Sequence, residues 1–69
     1  MSIPSEDAVD ELVQWWKKEY TNYSYIGHQV MHMVVKIEYI KEGWRGVFSE
    51  TYIYNGKDEK GEHDWFSPE

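Results

Sequence analysis

The three histidines are the residues whose side chains most readily bind metal ions or transfer protons. His28 and His32 are four residues apart, and His63 precedes Asp64. On a helix this spacing would bring two imidazoles to one face, but on the strand predicted below it separates them by about 13 Å, too far for one ion. Adjacent strand residues point to opposite faces, which separates His63 from Asp64. Because cysteine is also absent, we expect no metal site, no disulfide and no cofactor.

Carboxylates are the other candidates for chemistry, and they include the adjacent pairs Asp10–Glu11 and Asp58–Glu59. Acid–base catalysis by such a pair needs a pocket that shifts a pKa. A chain of 69 residues that forms a helix and a thin sheet has little room for that pocket. The sequence also lacks a glycine-rich phosphate loop, and no histidine is placed to activate a serine or threonine. We therefore expect a protein that is not an enzyme.

The charge distribution suggests the kind of partner. Thirteen acidic residues outnumber seven scattered basic ones, giving a net charge of −6, which disfavours direct binding to nucleic acid or to an anionic membrane. The acids gather near both ends of the chain, as Glu6, Asp7, Asp10, Glu11, Asp58, Glu59, Glu62 and Asp64. Such acids ordinarily serve the helix dipole and solubility. Alternatively, acids along an exposed edge imitate the phosphates of DNA and occupy a basic groove of a nucleic-acid-binding protein.

The element that positions the first acids is an amphipathic helix predicted over residues 5–21. Ser5 can cap its start, and the acids of the first turn and the lysines near its end suit the helix dipole. Apolar residues recur at three- and four-residue steps, namely Val9, Leu12, Val13, Trp16 and Tyr20. Successive helix residues are about 100° apart, so Trp16 lies in the middle of this stripe and Trp15 at its border. We expect Trp16 to be buried and Trp15 to be half covered.

A long strand is predicted over residues 29–41, because apolar side chains alternate there without a break. The residues of its apolar face are Met31, Met33, Val35, Ile37 and Tyr39. Glu42–Gly43 is expected to turn the chain into a second strand, residues 44–54.

A loop centred on Glu42–Gly43 pairs Ile37 with Phe48 and Met33 with Tyr52. This register places the large apolar side chains of both strands on one face, which Trp16 is expected to cover. A shift of one residue would invert every side chain, so the hydrophobic pattern favours this register.

Asn55–Gly56 is the strongest hairpin signal in the sequence and predicts a short third strand, with Trp65 on the same face as Tyr52. The predicted fold is a single small α+β domain, residues 1–69, with one N-terminal amphipathic helix packed on a small antiparallel β-meander of two long strands and a short third. No element remains to cover the outer face of the sheet, where the apolar residues are Val34, Val47, Ile53 and Phe66.

Aromatic residues are abundant, with four tryptophans, six tyrosines and two phenylalanines. Tryptophan and tyrosine dominate binding hot spots, and Trp15, Tyr23 and Tyr25 are the rings that the predicted helix leaves outside the core. The residues predicted to bind a partner are Asp7, Asp10, Glu11, Trp15, Tyr23, Tyr25, Asp58, Glu59 and Glu62.

These features predict a small acidic inhibitor or regulator that binds another protein. In its most specific form, the protein imitates DNA and occupies a basic nucleic-acid-binding groove of its partner. In size, charge and lack of catalytic motifs the chain resembles the small acidic proteins that bacteriophages make to disable host enzymes during host takeover. The alternative is a self-assembling structural or accessory protein, such as a homodimer, that pairs through its outer sheet face. The first residues are acidic where an export signal needs bases, and no apolar run approaches the ~20 residues of a membrane span, so we expect a cytoplasmic protein.

Overall fold

A computed structural model describes residues 3–68 of the chain. It contains one helix, α1 (Glu6–Glu19), and four strands, β1 (Tyr23–Met31), β2 (Val34–Lys41), β3 (Phe48–Lys57) and β4 (His63–Phe66). The strands form one antiparallel sheet in the order β1-β2-β3-β4, so the fold is α+β, a helix with a β-meander. Among the described residues, no helix has the length and apolar content that a membrane crossing needs.

Helix α1 is stabilised at both ends by the devices that the sequence predicts. The Ser5 side chain accepts a hydrogen bond from the backbone N–H of Ala8 at 3.2 Å, and acids occupy the first turn and lysines the last. The helix ends at Glu19, and the backbone N–H of Tyr20 donates to the carbonyl of Trp16 at 2.9 Å.

The prediction of one unbroken strand over residues 29–41 is wrong, because the chain turns at His32 and Met33. Met31 pairs with Val34 across this two-residue turn, and His32 has a positive φ of 53°. The apolar alternation continues through the turn, so the pattern carries no break that would reveal it. The sheet therefore has a strand, β1, that the sequence analysis missed, and Met31 lies on the outer face with Val34 rather than in the core.

The predicted register of the next hairpin is also wrong, by two residues. Val35 lies opposite Tyr52 and Tyr39 lies opposite Phe48. The connection is a wide loop, residues 42–47, which bends at the positive φ of Gly43 and Gly46, so Arg45 and Val47 lie outside the strands. A shift of two residues preserves the facing of every side chain, which is why the predicted faces of β2 and β3 remain correct.

Asn55–Gly56 does not form the predicted hairpin turn but lies within β3, at an irregularity in its pairing with β4. Gly56 has a φ of 83°, which suits the bulge that such a glycine often forms. The actual turn is organised by Asp58, whose Oδ1 accepts hydrogen bonds from the backbone N–H of Lys60 at 2.8 Å and of Glu62 at 3.0 Å. This side chain satisfies the turn backbone and so moves the hairpin three residues along the chain.

The core lies between α1 and the inner face of the sheet. The Trp16 side chain is only 1% exposed, and its ring centroid lies 5.1 Å from that of Tyr39 and 6.3 Å from that of Tyr25. Its predicted burial is confirmed, although Tyr39 and Tyr25 take the place expected for Met33 and Phe48. The buried residues around it are Val9, Leu12, Val13, Val35, Ile37 and Tyr52. Trp15 is 45% exposed, as predicted.

We expect Trp16→Ala to unfold the protein, whereas Trp15→Ala should leave it folded. Loss of a buried tryptophan side chain costs about 3–5 kcal/mol, which is comparable with the whole stability of so small a domain. Far-ultraviolet circular dichroism with thermal melts of both variants provides the measurement. Equal loss of structure in the two variants would contradict the assigned roles.

Candidate partner-binding surface and aromatic cleft

Acidic side chains and one tryptophan follow a single ridge of α1. Asp7, Glu11 and Trp15 are four residues apart and all are exposed, and residues at this spacing lie on the same side of a helix. Asp10 is also exposed but lies toward β1, where burial, together with a smaller effect of the Asp10 charge, raises the pKa of Tyr25. The structure therefore combines three of the predicted acids with Trp15 on one helix.

A cleft opens where this ridge meets the last strand, and we call it the aromatic cleft. Glu11, Leu12 and Trp15 of α1 line one side, Tyr52 of β3 lines its base, and residues 63–67 line the other side, enclosing about 380 Å³. The ring of Trp15 meets that of Tyr52 edge to face, with centroids 5.9 Å apart. The helix thus leaves part of the inner sheet face uncovered beside β4.

Some polar groups of the aromatic cleft already have hydrogen-bond partners within the fold, and others do not. His63 Nδ1 lies 2.8 Å from the hydroxyl of Tyr54, and the Asp64 carboxylate accepts a hydrogen bond from the side chain of Asn55 at 3.1 Å. The indole N–H of Trp65 is buried without a hydrogen-bond partner among the described residues, an arrangement that typically costs about 1–3 kcal/mol. Glu11 is exposed at the rim, and no lysine or arginine belongs to the described lining.

Tyr23 and Tyr25 do not join Trp15 in one exposed aromatic cluster. Both lie on β1 and are partly buried against the core, and the Tyr25 hydroxyl lies 2.6 Å from Nδ1 of His28. The Nζ atom of Lys17 lies 4.6 Å from the centre of the Tyr25 ring. Trp15 points the other way, to Tyr52 of β3, so these two predicted residues and Trp15 occupy separate parts of the surface.

The second group of predicted acids lies in the turn between β3 and β4. Glu59 and Glu62 are exposed there, whereas the Asp58 carboxylate accepts the two backbone hydrogen bonds described above. Glu59 and Glu62 therefore remain the candidates of this group for contact with a partner, and Asp58 has a structural role.

Several residues of the site were not singled out by the sequence analysis. Tyr52 is buried in the core, as predicted, and it also lines the cleft. Trp65 lines the cleft as well and is only partly buried, because the helix is too narrow to cover all four strands. Glu50 faces the core side of β3, where it accepts a hydrogen bond from the hydroxyl of Tyr39 at 3.4 Å. Glu50 is two residues from both Phe48 and Tyr52, and this spacing could have shown from the sequence that it shares their face of the strand. Outside the cleft, Trp44 of the 42–47 loop is 68% exposed.

The chain matches no family model, no curated protein and no solved structure. No relative therefore assigns a role to any of these residues, and function has to follow from their geometry and charge.

We expect the protein to lose stability as the pH rises above about 10. Burial, reinforced by Tyr20 and the Glu50 charge, raises the pKa of Tyr52 well above its ordinary value of 10.0, and burial beside Glu50 raises the pKa of Tyr39. A phenol whose pKa is higher in the folded state stabilises the fold fully below the unfolded pKa and loses that contribution as the pH rises through the folded pKa.

Denaturant unfolding at about pH 8 and about pH 11, with a phenolate absorbance titration, measures this effect. The Tyr52→Phe variant has no phenol to ionise at this position, so its free energy of unfolding should fall less between the two pH values than that of the wild type. A fall of the same size in both proteins would contradict the role of Tyr52.

Proposed function

We propose that this protein is a small acidic inhibitor or regulator that acts in the cytoplasm by binding another protein, without catalysing a reaction. Its partner presents a basic surface, and a nucleic-acid-binding groove is the sharpest case. The observation that supports this proposal is the ridge of α1 on which Asp7, Glu11 and Trp15 lie side by side, in a chain with a net charge of −6.

The acids and the tryptophan contribute to binding in different ways. Exposed carboxylates attract a basic surface over a distance and so raise the association rate, especially at low salt. A half-exposed tryptophan supplies a large rigid contact area that slows dissociation. Glu59 and Glu62 of the β3–β4 turn extend the negative charge beyond the helix.

Neutralising the acids of the helix tests the proposal. We expect the variant Asp7→Asn, Asp10→Asn, Glu11→Gln to lose most of its binding to the partner while it remains folded, because these side chains are exposed. The matched control, Glu19→Gln, Glu38→Gln, Glu42→Gln, removes the same amount of charge from other parts of the surface and should bind nearly as well as the wild type. Of the three acids, Asp7 lies in the first turn, and loss of its favourable interaction with the helix dipole costs about 0.3–1 kcal/mol, so the stability of each variant is measured separately.

Columns carrying the wild type and both variants, loaded with bacterial lysate at low and high salt, provide the comparison. Proteins retained by the wild type should be lost from the triple variant and at high salt, and duplex DNA should elute them. If both triple variants retain the partner equally and DNA has no effect, binding does not depend on the acids of α1.

A second candidate function is self-assembly through the outer sheet face. One row of apolar side chains crosses all four strands there, because Met31 lies opposite Val34, Val34 opposite Ile53 and Ile53 opposite Phe66. Met31 is 50% exposed and Phe66 47% exposed. An apolar row of this kind often becomes a subunit interface.

Sedimentation velocity over a range of concentrations tests self-assembly. If the outer row pairs two copies, the wild type should sediment as a dimer and Met31→Lys, Phe66→Lys as a monomer, because burying a charge in an apolar interface is costly. The matched control places lysines at Val30, an exposed residue on the helix side of β1, and at Trp44 of the 42–47 loop, and should remain dimeric. A wild type that stays monomeric at all concentrations would contradict this function.

A further inference from the structure

The aromatic cleft has the composition of a site for an organic cation. Trp15 on one side meets Tyr52 at the base edge to face, Trp65 lines the opposite side, and Glu11 stands at the rim. Aromatic faces attract a cation through their quadrupole, and the attraction is stronger when the cation is partly removed from water. A carboxylate beside the rings adds charge of the matching sign.

The charges around the cleft favour a cation over an anion or a neutral ligand. Its described lining contains Glu11 and Asp64 and no basic residue other than His63, whose Nδ1 lies 2.8 Å from the Tyr54 hydroxyl. One oxygen of Asp64 already accepts a hydrogen bond from Asn55. Glu11 is therefore the carboxylate at the rim that would pair with a bound cation.

We infer that the aromatic cleft binds the side chain of an arginine that projects from the partner's basic surface. The inference rests on the proposed function and adds the chemistry by which the partner is held. Guanidinium is planar and weakly hydrated, stacks on aromatic rings and pairs with a carboxylate through two parallel hydrogen bonds, whereas the ammonium of lysine is compact and strongly hydrated. The volume of about 380 Å³ lies within the range of ordinary ligand pockets, about 300–1,000 Å³.

A titration with short capped peptides tests this assignment without the partner. The probes are Gly-Arg-Gly and two counterparts, one with citrulline, which keeps the shape but has no charge, and one with lysine. The four tryptophans give separate indole N–H signals in nuclear magnetic resonance spectra. The arginine peptide should shift the signals of Trp15 and Trp65 in a saturable way and leave that of Trp44 unchanged, while the citrulline and lysine peptides should bind more weakly.

Variants connect the shifts to individual side chains. Trp15→Ala should weaken the arginine peptide about three- to tenfold, as expected for loss of a cation–π contact, and Glu11→Gln about two- to fivefold. The matched control Trp44→Ala removes a more exposed tryptophan outside the cleft and should not change the affinity. Glu11→Gln keeps the size and helix propensity of the side chain, so it serves as the test if Trp15→Ala perturbs the fold.

Three results would overturn the assignment: no saturable shift at Trp15 and Trp65, equal binding of the citrulline or lysine peptide, or unchanged affinity in Glu11→Gln. Such a failure would leave the proposed function standing, since the acids of α1 are tested separately with the partner. Conversely, a partner that binds both acid-neutralised variants equally would remove the proposed function and leave the peptide result intact.

Discussion

The burial of Trp16 between α1 and the sheet is the interaction on which the rest of the structure depends. A chain of 69 residues without cysteine can bury only a modest share of its surface, so it needs large side chains to hold a single helix on a single sheet. The Trp16 ring meets Tyr39 of β2, Tyr25 of β1 and Tyr20 at the end of the helix. One side chain therefore fixes where α1 crosses the sheet and how it is rotated about its axis.

That rotation decides what the surface presents. The residue before Trp16 lies about 100° away around the helix, and Trp15 is thereby turned toward β3 and β4, next to Tyr52. A helix is about 10–12 Å wide, whereas the outer strands of a four-stranded sheet are about 14 Å apart. The helix cannot cover every strand, and the uncovered part beside β4 becomes the aromatic cleft. The cleft is thus a geometric consequence of placing one helix over four strands.

Tyrosine hydroxyls connect this aromatic core to the polar rim, and they also account for two of the histidines. The hydroxyl of Tyr25 lies within hydrogen-bond distance of His28, and that of Tyr54 within hydrogen-bond distance of His63. In each pair a tyrosine ring on the core side of the sheet is joined to a histidine at the edge of the core, so these two histidines have a structural role. Glu50 has the same relation to the hydroxyl of Tyr39. Tyrosine suits this position because it offers a large apolar ring and a polar tip.

The sequence by itself determined the helix, its cap, its buried stripe and the facing of β2 and β3. The stripe and the facing follow from local periodicity, which can be read from the sequence without knowledge of any distant contact, and the cap follows from the side chain of Ser5. Only the tertiary structure decided the turn at His32, the register of β2 on β3, which differs by two residues from the predicted one, and the position of the last hairpin turn at Asp58 instead of Asn55–Gly56. A register shift of two residues leaves every side chain on the same face of the sheet, so the hydrophobic pattern does not distinguish the two registers. An apolar alternation that continues through a turn likewise conceals the turn. Packing across the sheet therefore determines both. The aromatic cleft was decided in the same way, since its rings come from one helix and two strands that periodicity alone cannot place side by side.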